Sequence, residues 1–202
     1  MGRTCFTHEE TTSIYTWTID VELDWGGRTS GIQGITEGLP IILEVFRANK
    51  IKALFFISSE LAMSNRGSIN RIVEHGHEIG SHGHFHIKYT DEWRARQDKE
   101  ISERLLSVFT DKKMEYRAPW FSYKTDSVYS DRKNHVSLLK KVWFGGRLPL
   151  EPIFYLHPFD IVHWKKALNP ALGMLYGRPD DVLDTFKRMC RLYPHSPKAK
   201  AH

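Results

Sequence analysis

The chain has 202 residues, the size of one large domain, so we expect a single domain over residues 1–202 with loose ends at about 1–12 and 194–202. Hydrophobic residues make up 41% and charged residues 26%, as in folded globular proteins. The net charge is +5, but lysine and arginine are scattered, so we expect a solvated surface and no nucleic-acid partner. Two cysteines are too few for a disulfide framework or a zinc-ligand set.

The distribution of apolar residues gives no membrane-spanning signal. No stretch reaches the ~18 consecutive apolar residues of a membrane span. Residues 1–10 include polar residues and two acids where a signal peptide would be apolar. We therefore expect a soluble, cytoplasmic protein, and the sequence leaves the oligomeric state open.

Apolar periodicity predicts strands that alternate with helices. Alternation over residues 15–24 predicts a first strand whose polar face carries Asp20, Glu22 and Asp24. Further strands are predicted at about 53–57, 77–80, 114–117 and 153–157, and helices at about 36–49, 69–73, 91–109 and from 181 onwards. This order predicts an α/β fold with a mainly parallel sheet.

Five histidines lie between residues 75 and 86. His82 and His86 are four residues apart, so a helical turn would put both imidazoles on one side, where they can bind one metal ion. His84, between them, would then face elsewhere. A histidine-rich surface loop is the other interpretation, because a short motif of this kind discriminates poorly by itself.

Asp20 and Glu22 are two residues apart, so on a strand they point to the same face. Two unpaired carboxylates would be costly in a dry core, although a solvated strand edge would also explain them. Together they can supply one oxygen ligand and one general base. A hydrolytic metal site needs this combination in addition to its imidazoles.

Two further motifs carry candidate chemistry. Arg117 precedes Ala118-Pro119, where an arginine at the end of a strand can hold a carboxylate in place. His157 follows an apolar strand and is a candidate general acid. Taken alone, each residue is explained at least as well by a structural role as by a catalytic one.

In chain order, the four motifs resemble those of the polysaccharide deacetylase family, the NodB-homology group or carbohydrate esterase family 4. They are Thr18–Gly26, Gly76–His82 with His86, Arg117–Pro119 and Leu156–Pro158. The first is similar to a subgroup that opens with Asp-x-Glu-Leu-x-Trp-Gly and is associated with bacterial surface polysaccharides. The resemblance implies an α/β fold, a distorted (β/α) barrel of the NodB-homology type with its site at the C-terminal ends of the strands.

The resemblance also implies an activity, which is metal-dependent removal of an N-acetyl or other N-acyl group from an amino sugar. The expected cofactor is a divalent metal ion, zinc in the first place, with cobalt and nickel as alternatives. The expected partner is an N-acylated carbohydrate substrate. By the resemblance, the metal ligands are His82, His86 and one carboxylate; the strand geometry offers Glu22 for this role, which leaves Asp20 as the base. The other implied roles are orientation of the base by Arg117, protonation of the leaving amine by His157, and substrate contact by Trp25, Trp120 and Phe121.

The chain departs from the family pattern at two places. Val21 stands where the commonest opening motif has a second aspartate, so the reverse assignment of Asp20 and Glu22 stays open. The connection to the last motif is short, which predicts an abbreviated barrel between residues 122 and 150, mostly loop with a short helix near 138–142. The acid that tunes His157 is then Asp126 or Asp160.

Two other functions remain alternatives at this stage. One is a deformylase or small-amide hydrolase on the same scaffold. The other is a catalytically silent barrel that binds carbohydrate.

Overall fold

The computed structural model describes residues 17–27, 30–132, 135–137, 152–162 and 179–194. The strands in these ranges are β1 Trp17–Val21, β2 Leu54–Ile57, β3 Glu78–Ser81, β4 His135–Ser137 and β5 Ile153–Leu156. The helices are α1 Leu39–Ala48, α2 Ser59–Ser64, α3 Arg66–Glu74, α4 Glu92–Leu106 and α5 Pro179–Leu192. Short turns of π or 3₁₀ type lie at Gly34–Gly38, Pro119–Phe121, Val128–Ser130 and Pro158–Ile161.

The five strands pair in parallel in the order β3-β2-β1-β5-β4, which confirms the predicted α/β fold with a parallel sheet. A parallel bridge between Ser81 and Tyr116 continues the sheet beyond β3. Parallel strands end at the same edge of a sheet, where α/β proteins place their ligands. The edge after β1, β3 and β5 therefore collects Glu22, His82 and His157.

Aromatic packing fixes the central strand against its helices. Trp17 of β1 stacks on Phe154 of β5 at 4.8 Å between ring centroids and meets Phe46 and Phe186 edge-on at 5.8 and 5.5 Å. The Trp17 indole N–H donates to the carbonyl of Tyr193 at 2.9 Å. Helix α5 buries one apolar face, formed by Val182, Phe186, Met189 and Cys190. Helix α5 therefore closes the core over the centre of the sheet.

The first strand differs from its prediction. It ends at Val21, and all five of its residues are buried instead of every second one, because a parallel sheet is covered on both faces. Asp24 lies beyond the strand, where its buried carboxylate accepts the backbone N–H groups of Gln33 at 2.8 Å and Gly34 at 2.9 Å. Asp24 thus anchors the segment that leads into α1.

Other element predictions hold with shifted ends. Helix α4 begins where predicted, because the Asp91 side chain accepts the N–H of Arg94, but it ends at Leu106. The strand expected at 114–117 is reduced to the bridge at Tyr116. Residues 1–12, 138–151 and 195–202 lie outside the described part of the chain. The loose ends, the short helix near 138–142 and the abbreviation between 122 and 150 therefore remain predictions.

Among the described residues, no helix combines the length and the apolar character that crossing a bilayer requires.

His77 lies just before β3, at the opposite end of the sheet from His82. It packs against Phe46 and Phe55 with ring centroids 5.6 and 5.0 Å apart, and its Nδ1 accepts the N–H of Ala53 at 3.2 Å. Burial, together with the positive charges of Lys52 and His75, lowers the pKa of His77 to about 4. His77 is therefore neutral in the folded protein near neutral pH.

This depressed pKa predicts an acid-dependent loss of stability. An unfolded histidine titrates near pH 6.5, so between about pH 6.5 and 4 the unfolded chain binds a proton that folded His77 refuses. The free energy of unfolding should fall as pH falls, by up to ~1.4 kcal/mol per pH unit from this group. His77→Gln should flatten that dependence in urea unfolding between pH 4.5 and 7.5. His75→Gln, at an exposed neighbour, is the control and should keep most of the dependence, because burial is the largest cause of the lowered His77 pKa. Equal slopes for both variants would contradict the assignment.

Candidate metal centre and active site

Glu22, His82 and His86 bring one side-chain atom each into a cluster within 4.8 Å of one another. Glu22 Oε2 lies 3.2 Å from Nε2 of His82 and also contacts Nε2 of His86. All three side chains are shielded, with exposed fractions of 3 to 8%. Among the described residues this is the one such group of three or more, and it consists of the three residues that we expected to bind the metal.

The two histidines reach the cluster without the helical turn that their spacing suggested. His82 follows β3 directly, and residues 82–86 form a loop. Gly83 and His86 have left-handed backbone angles, with φ of +76° and +52°. Glycine adopts this conformation freely, whereas a histidine there is strained. The loop turns back on itself, which aims both imidazoles at Glu22.

His82 and His86 are oriented in different ways. His82 Nδ1 lies 2.8 Å from the backbone carbonyl oxygen of Arg117, so the ring donates there and turns its Nε2 lone pair to the cluster. His86 Nδ1 is buried and has no hydrogen-bond partner in the described part of the chain. The ring of His86 is therefore not fixed by a partner on its far side.

Asp20 lies beside the cluster in an ion pair with Arg117. Arg117 donates to Asp20 at 2.5 Å, to Thr18 Oγ1 at 3.0 Å and to the carbonyl of Tyr129 at 3.3 Å. Burial by itself would raise the pKa of Asp20, but the charge of Arg117 outweighs it and holds that pKa below its usual value. The second carboxylate oxygen lies 4.0 Å from Nε2 of His82. Asp20 is thus an ionised carboxylate just outside the three-atom cluster.

His135 also contacts Arg117, although no sequence pattern identifies it as part of the site. Its Nε2 lies 2.7 Å from a guanidinium nitrogen of Arg117, so the neutral imidazole accepts a hydrogen bond. Burial, followed by the charge of Arg117, lowers the pKa of His135 to about 3. Phe56 lies beneath the guanidinium with 4.2 Å to its ring centroid. A lone histidine in a segment without readable periodicity carries no sequence signal for this role.

His157 faces the cluster from the end of β5. Its Nε2 lies 3.6 Å from Glu22 Oε1, and its Nδ1 lies 3.1 Å from Asp160 Oδ2, which also accepts the backbone N–H of His157 at 2.7 Å. Burial would lower the pKa of His157, but the charges of Asp160 and Glu22 raise it to about 10. Of the two acids considered from the sequence, Asp160 is the one in contact, and Asp126 is exposed.

The three aromatic residues predicted at the substrate lie in different surroundings. Trp120 is 42% exposed, and its ring lies 5.4 Å from that of His86. Trp25 packs against Phe159 at 5.7 Å, whereas Phe121 packs against His135 at 5.0 Å. Trp120 therefore offers an accessible apolar surface beside the cluster, and Phe121 mainly supports the arginine environment.

Backbone strain is concentrated at this edge. Trp25, His86, Trp120 and Phe121 all have positive φ, between 52° and 61°. Such residues cost free energy and persist where surrounding contacts hold them, which is common at active sites. A side chain at Gly26 would come within 2.8 Å of the Trp120 ring, so the glycine lets that ring approach.

The sequence profile of the polysaccharide deacetylase family matches residues 30–137, which is more than half of the chain. The protein therefore belongs to the polysaccharide deacetylase family. Asp20, Glu22 and His157 lie outside the matched residues. The subgroup suggested by the opening motif remains a prediction.

Individual proteins resemble this chain in sequence or in fold. Over 70 residues the chain is 29% identical to the peptidoglycan-N-acetylglucosamine deacetylase PgdA of Listeria monocytogenes, a match that covers 35% of this chain and 15% of that protein. A family 4 carbohydrate esterase from Streptomyces lividans, solved with acetate, is 14% identical over 92% of this chain and 91% of its own, with a TM-score of 0.55. A family 4 pseudoenzyme from Bacillus anthracis is 17% identical over 89% of this chain and 62% of its own, with a TM-score of 0.54. At such identities the structural similarities support the fold.

The buried ion pair predicts a large stability effect in the metal-free protein. Arg117→Met leaves the Asp20 charge buried without its partner, so the free energy of unfolding should fall by ~3–5 kcal/mol. Adding Asp20→Asn should recover part of that loss, because the uncompensated charge is removed. Urea unfolding measures both variants.

The control is Arg96→Met, which breaks an exposed pair with Glu92 and should lower the free energy of unfolding far less than Arg117→Met does. If Arg117→Met lowered the free energy of unfolding no more than Arg96→Met does, the buried ion pair would not make the contribution to stability that we assign to it.

Proposed function

We propose that this protein is a metal-dependent hydrolase that removes an N-acetyl or other N-acyl group from an amino sugar of a bacterial surface polysaccharide or its precursor. The observation that carries the proposal is the convergence of Glu22, His82 and His86 beside an ionised Asp20 and a protonated His157. Family membership supports the deacetylation, and the cluster supports the metal dependence.

The residues of the cluster fit a divalent cation. Two imidazole nitrogens and one carboxylate oxygen are a ligand set of catalytic zinc sites, and cobalt or nickel accept the same donors. Glu22 is 5% exposed, and its ion-pair partners among the described residues are histidines, with no lysine or arginine. A buried carboxylate needs compensating charge, which a cation at this place supplies. When bound, such an ion polarises the acyl oxygen and lowers the pKa of a water molecule.

The geometry favours Glu22 as ligand and Asp20 as base. Glu22 Oε2 contacts both imidazoles, whereas Asp20 approaches His82 only to 4.0 Å and gives its other oxygen to Arg117. In this assignment Asp20 takes a proton from the attacking water, and Arg117 keeps Asp20 ionised and oriented. A positioned base of this kind contributes about 10²–10⁴-fold to the rate.

His157 supplies the proton for the departing amine. Its Nδ1–H is engaged by Asp160, so Nε2 is the nitrogen that faces Glu22 and the cluster. A protonated imidazole there can donate to the amine nitrogen as the C–N bond breaks. Asp160 acts on this step by fixing the ring and stabilising its positive charge.

The proposal also includes a substrate class, an N-acylated sugar that contacts Trp120. The accessible face of Trp120 beside His86 suits the apolar face of a sugar ring. The Listeria relative is named for action on N-acetylglucosamine in peptidoglycan, so oligomers of N-acetylglucosamine are the first substrate to test.

The test combines metal content with acetate release. The wild type should hold about one divalent ion per chain, and a chelator should abolish acetate release from N-acetylglucosamine oligomers. Glu22→Gln should lose the ion, since a neutral amide is a poor substitute for a charged ligand. Asp20→Asn should keep the ion while its rate falls ~10²–10⁴-fold.

His84→Ala is the matched control, because the His84 imidazole contacts Ser59 Oγ at 2.8 Å and is not part of the cluster. It should keep the ion and most of the activity. A wild type that binds metal yet releases no acyl group would favour the silent carbohydrate-binding barrel. Full activity in both carboxylate variants would refute the mechanism.

A further inference from the structure

We propose that Asp98, on helix α4, is the positioning residue for His86: its buried carboxylate holds the backbone of the loop Gly83–His86 and thereby places the third metal ligand. The inference rests on the proposed function, because it concerns the same metal. It assigns a task to a residue that lies outside all four sequence motifs.

The imidazoles of His82 and His86 are held by different contacts. Because of this difference, the position of His86 needs support from outside its own side chain. His82 emerges from β3 and is fixed through Nδ1 by the carbonyl of Arg117. The buried Nδ1 of His86 has no such partner in the described ranges, and the His86 backbone adopts a strained left-handed conformation. The position of His86 therefore depends on contacts made by the preceding backbone.

Asp98 supplies those contacts. Its Oδ2 accepts the backbone N–H of His84 at 2.9 Å, and its Oδ1 accepts the N–H of Phe85 at 3.4 Å and the hydroxyl of Tyr89 at 3.1 Å. The residue is 4% exposed and forms no ion pair with any described lysine or arginine. Hydrogen bonds to an ionised acceptor are stronger than neutral ones, and here they satisfy a carboxylate that is otherwise uncompensated.

Other contacts hold the first half of the loop. Ser102, one turn after Asp98, donates to the carbonyl of Gly83 at 2.9 Å and accepts from Ser81 Oγ at 2.9 Å. From the opposite side, the N–H of Ser59 also donates to the Gly83 carbonyl, at 3.0 Å. Within the described residues, Asp98 alone bonds to Phe85, the residue directly before His86.

Gly83 shows how closely the carboxylate approaches the loop. A Cβ atom at this position would lie 2.4 Å from Asp98 Oδ2, and the φ of +76° is in the glycine region. A side chain at Gly83 would therefore displace either the carboxylate or the loop. Asp98 and the loop are packed as one unit.

The test measures the affinity of the metal-free protein for Zn²⁺ by titration against a competing chelator. Asp98→Asn replaces one acceptor oxygen with an amide that cannot accept an N–H, so the loop is released in part. The affinity should fall ~10–100-fold, the range found when outer partners of metal ligands are removed. The Co²⁺-loaded protein should show altered ligand-field bands, a signature that loss of stability alone would not produce.

Asp91→Ala is the matched control on the same helix. Asp91 caps α4 by accepting the N–H of Arg94 at 2.9 Å and makes no hydrogen bond to the loop. This variant should lower the melting temperature of the metal-free protein and leave the Zn²⁺ affinity unchanged. If Asp98→Asn does not fold, Asp98→Glu serves instead, because the longer side chain keeps the charge but shifts the carboxylate relative to the N–H groups of His84 and Phe85. It should also weaken Zn²⁺ binding, and an unchanged affinity would overturn the positioning role.

The outcomes separate the inference from the proposed function. Equal Zn²⁺ affinity and equal Co²⁺ spectra in the wild type and Asp98→Asn would overturn the positioning role and leave the metal site intact. A wild type that takes up no Zn²⁺ or Co²⁺ would overturn the proposed function and this inference with it. An affinity loss in Asp91→Ala as large as in Asp98→Asn would show that α4 stability, not the carboxylate, is responsible.

Discussion

Asp20 and Glu22 are buried together at the end of the central strand, and the surrounding site is arranged to compensate their charges. Two carboxylates on the same face repel each other and lose their hydration, so each needs its own positive partner. Arg117 neutralises Asp20, and imidazoles surround Glu22. Because the partners differ, Asp20 forms a closed ion pair with Arg117, whereas Glu22 remains available to bind a cation.

The parallel sheet makes this arrangement feasible. Strand β1 lies between β2 and β5, so the residues that follow β3 and β5 approach Glu22 from two sides. The guanidinium of Arg117 reaches Asp20, while its backbone carbonyl fixes His82. A single residue thus links Asp20, the proposed base, to His82, a proposed metal ligand. Its burial among Phe56, Phe121 and Tyr155 protects that link from water.

The sequence predicted those parts of the site that local patterns determine. Period-two alternation placed Asp20 and Glu22 on one face, and the order of the motifs indicated the family. The conformation of the loop after His82 could not be predicted from local patterns. Its left-handed residues, Gly83 and His86, depend on packing against helix α4. His135 and Asp98 were also missed, because their contacts join residues that are separated in the sequence. His135 contacts a residue 18 positions away, and Asp98 contacts backbone groups 13 and 14 positions away. The contact of His157 with Asp160, and not with Asp126, likewise follows from the turn after β5, which no sequence pattern specifies.

The central claim is that Glu22, His82 and His86 bind one metal ion, and a crystal of the zinc-loaded protein tests it most directly. An anomalous difference map at the zinc edge should show one peak bonded to Glu22 Oε2 and to Nε2 of both histidines, at ~2.0–2.2 Å. Asp20 should remain on Arg117, outside bonding distance. A map without a peak among these three atoms, or with its only strong peak at His75 and His77, would contradict the account.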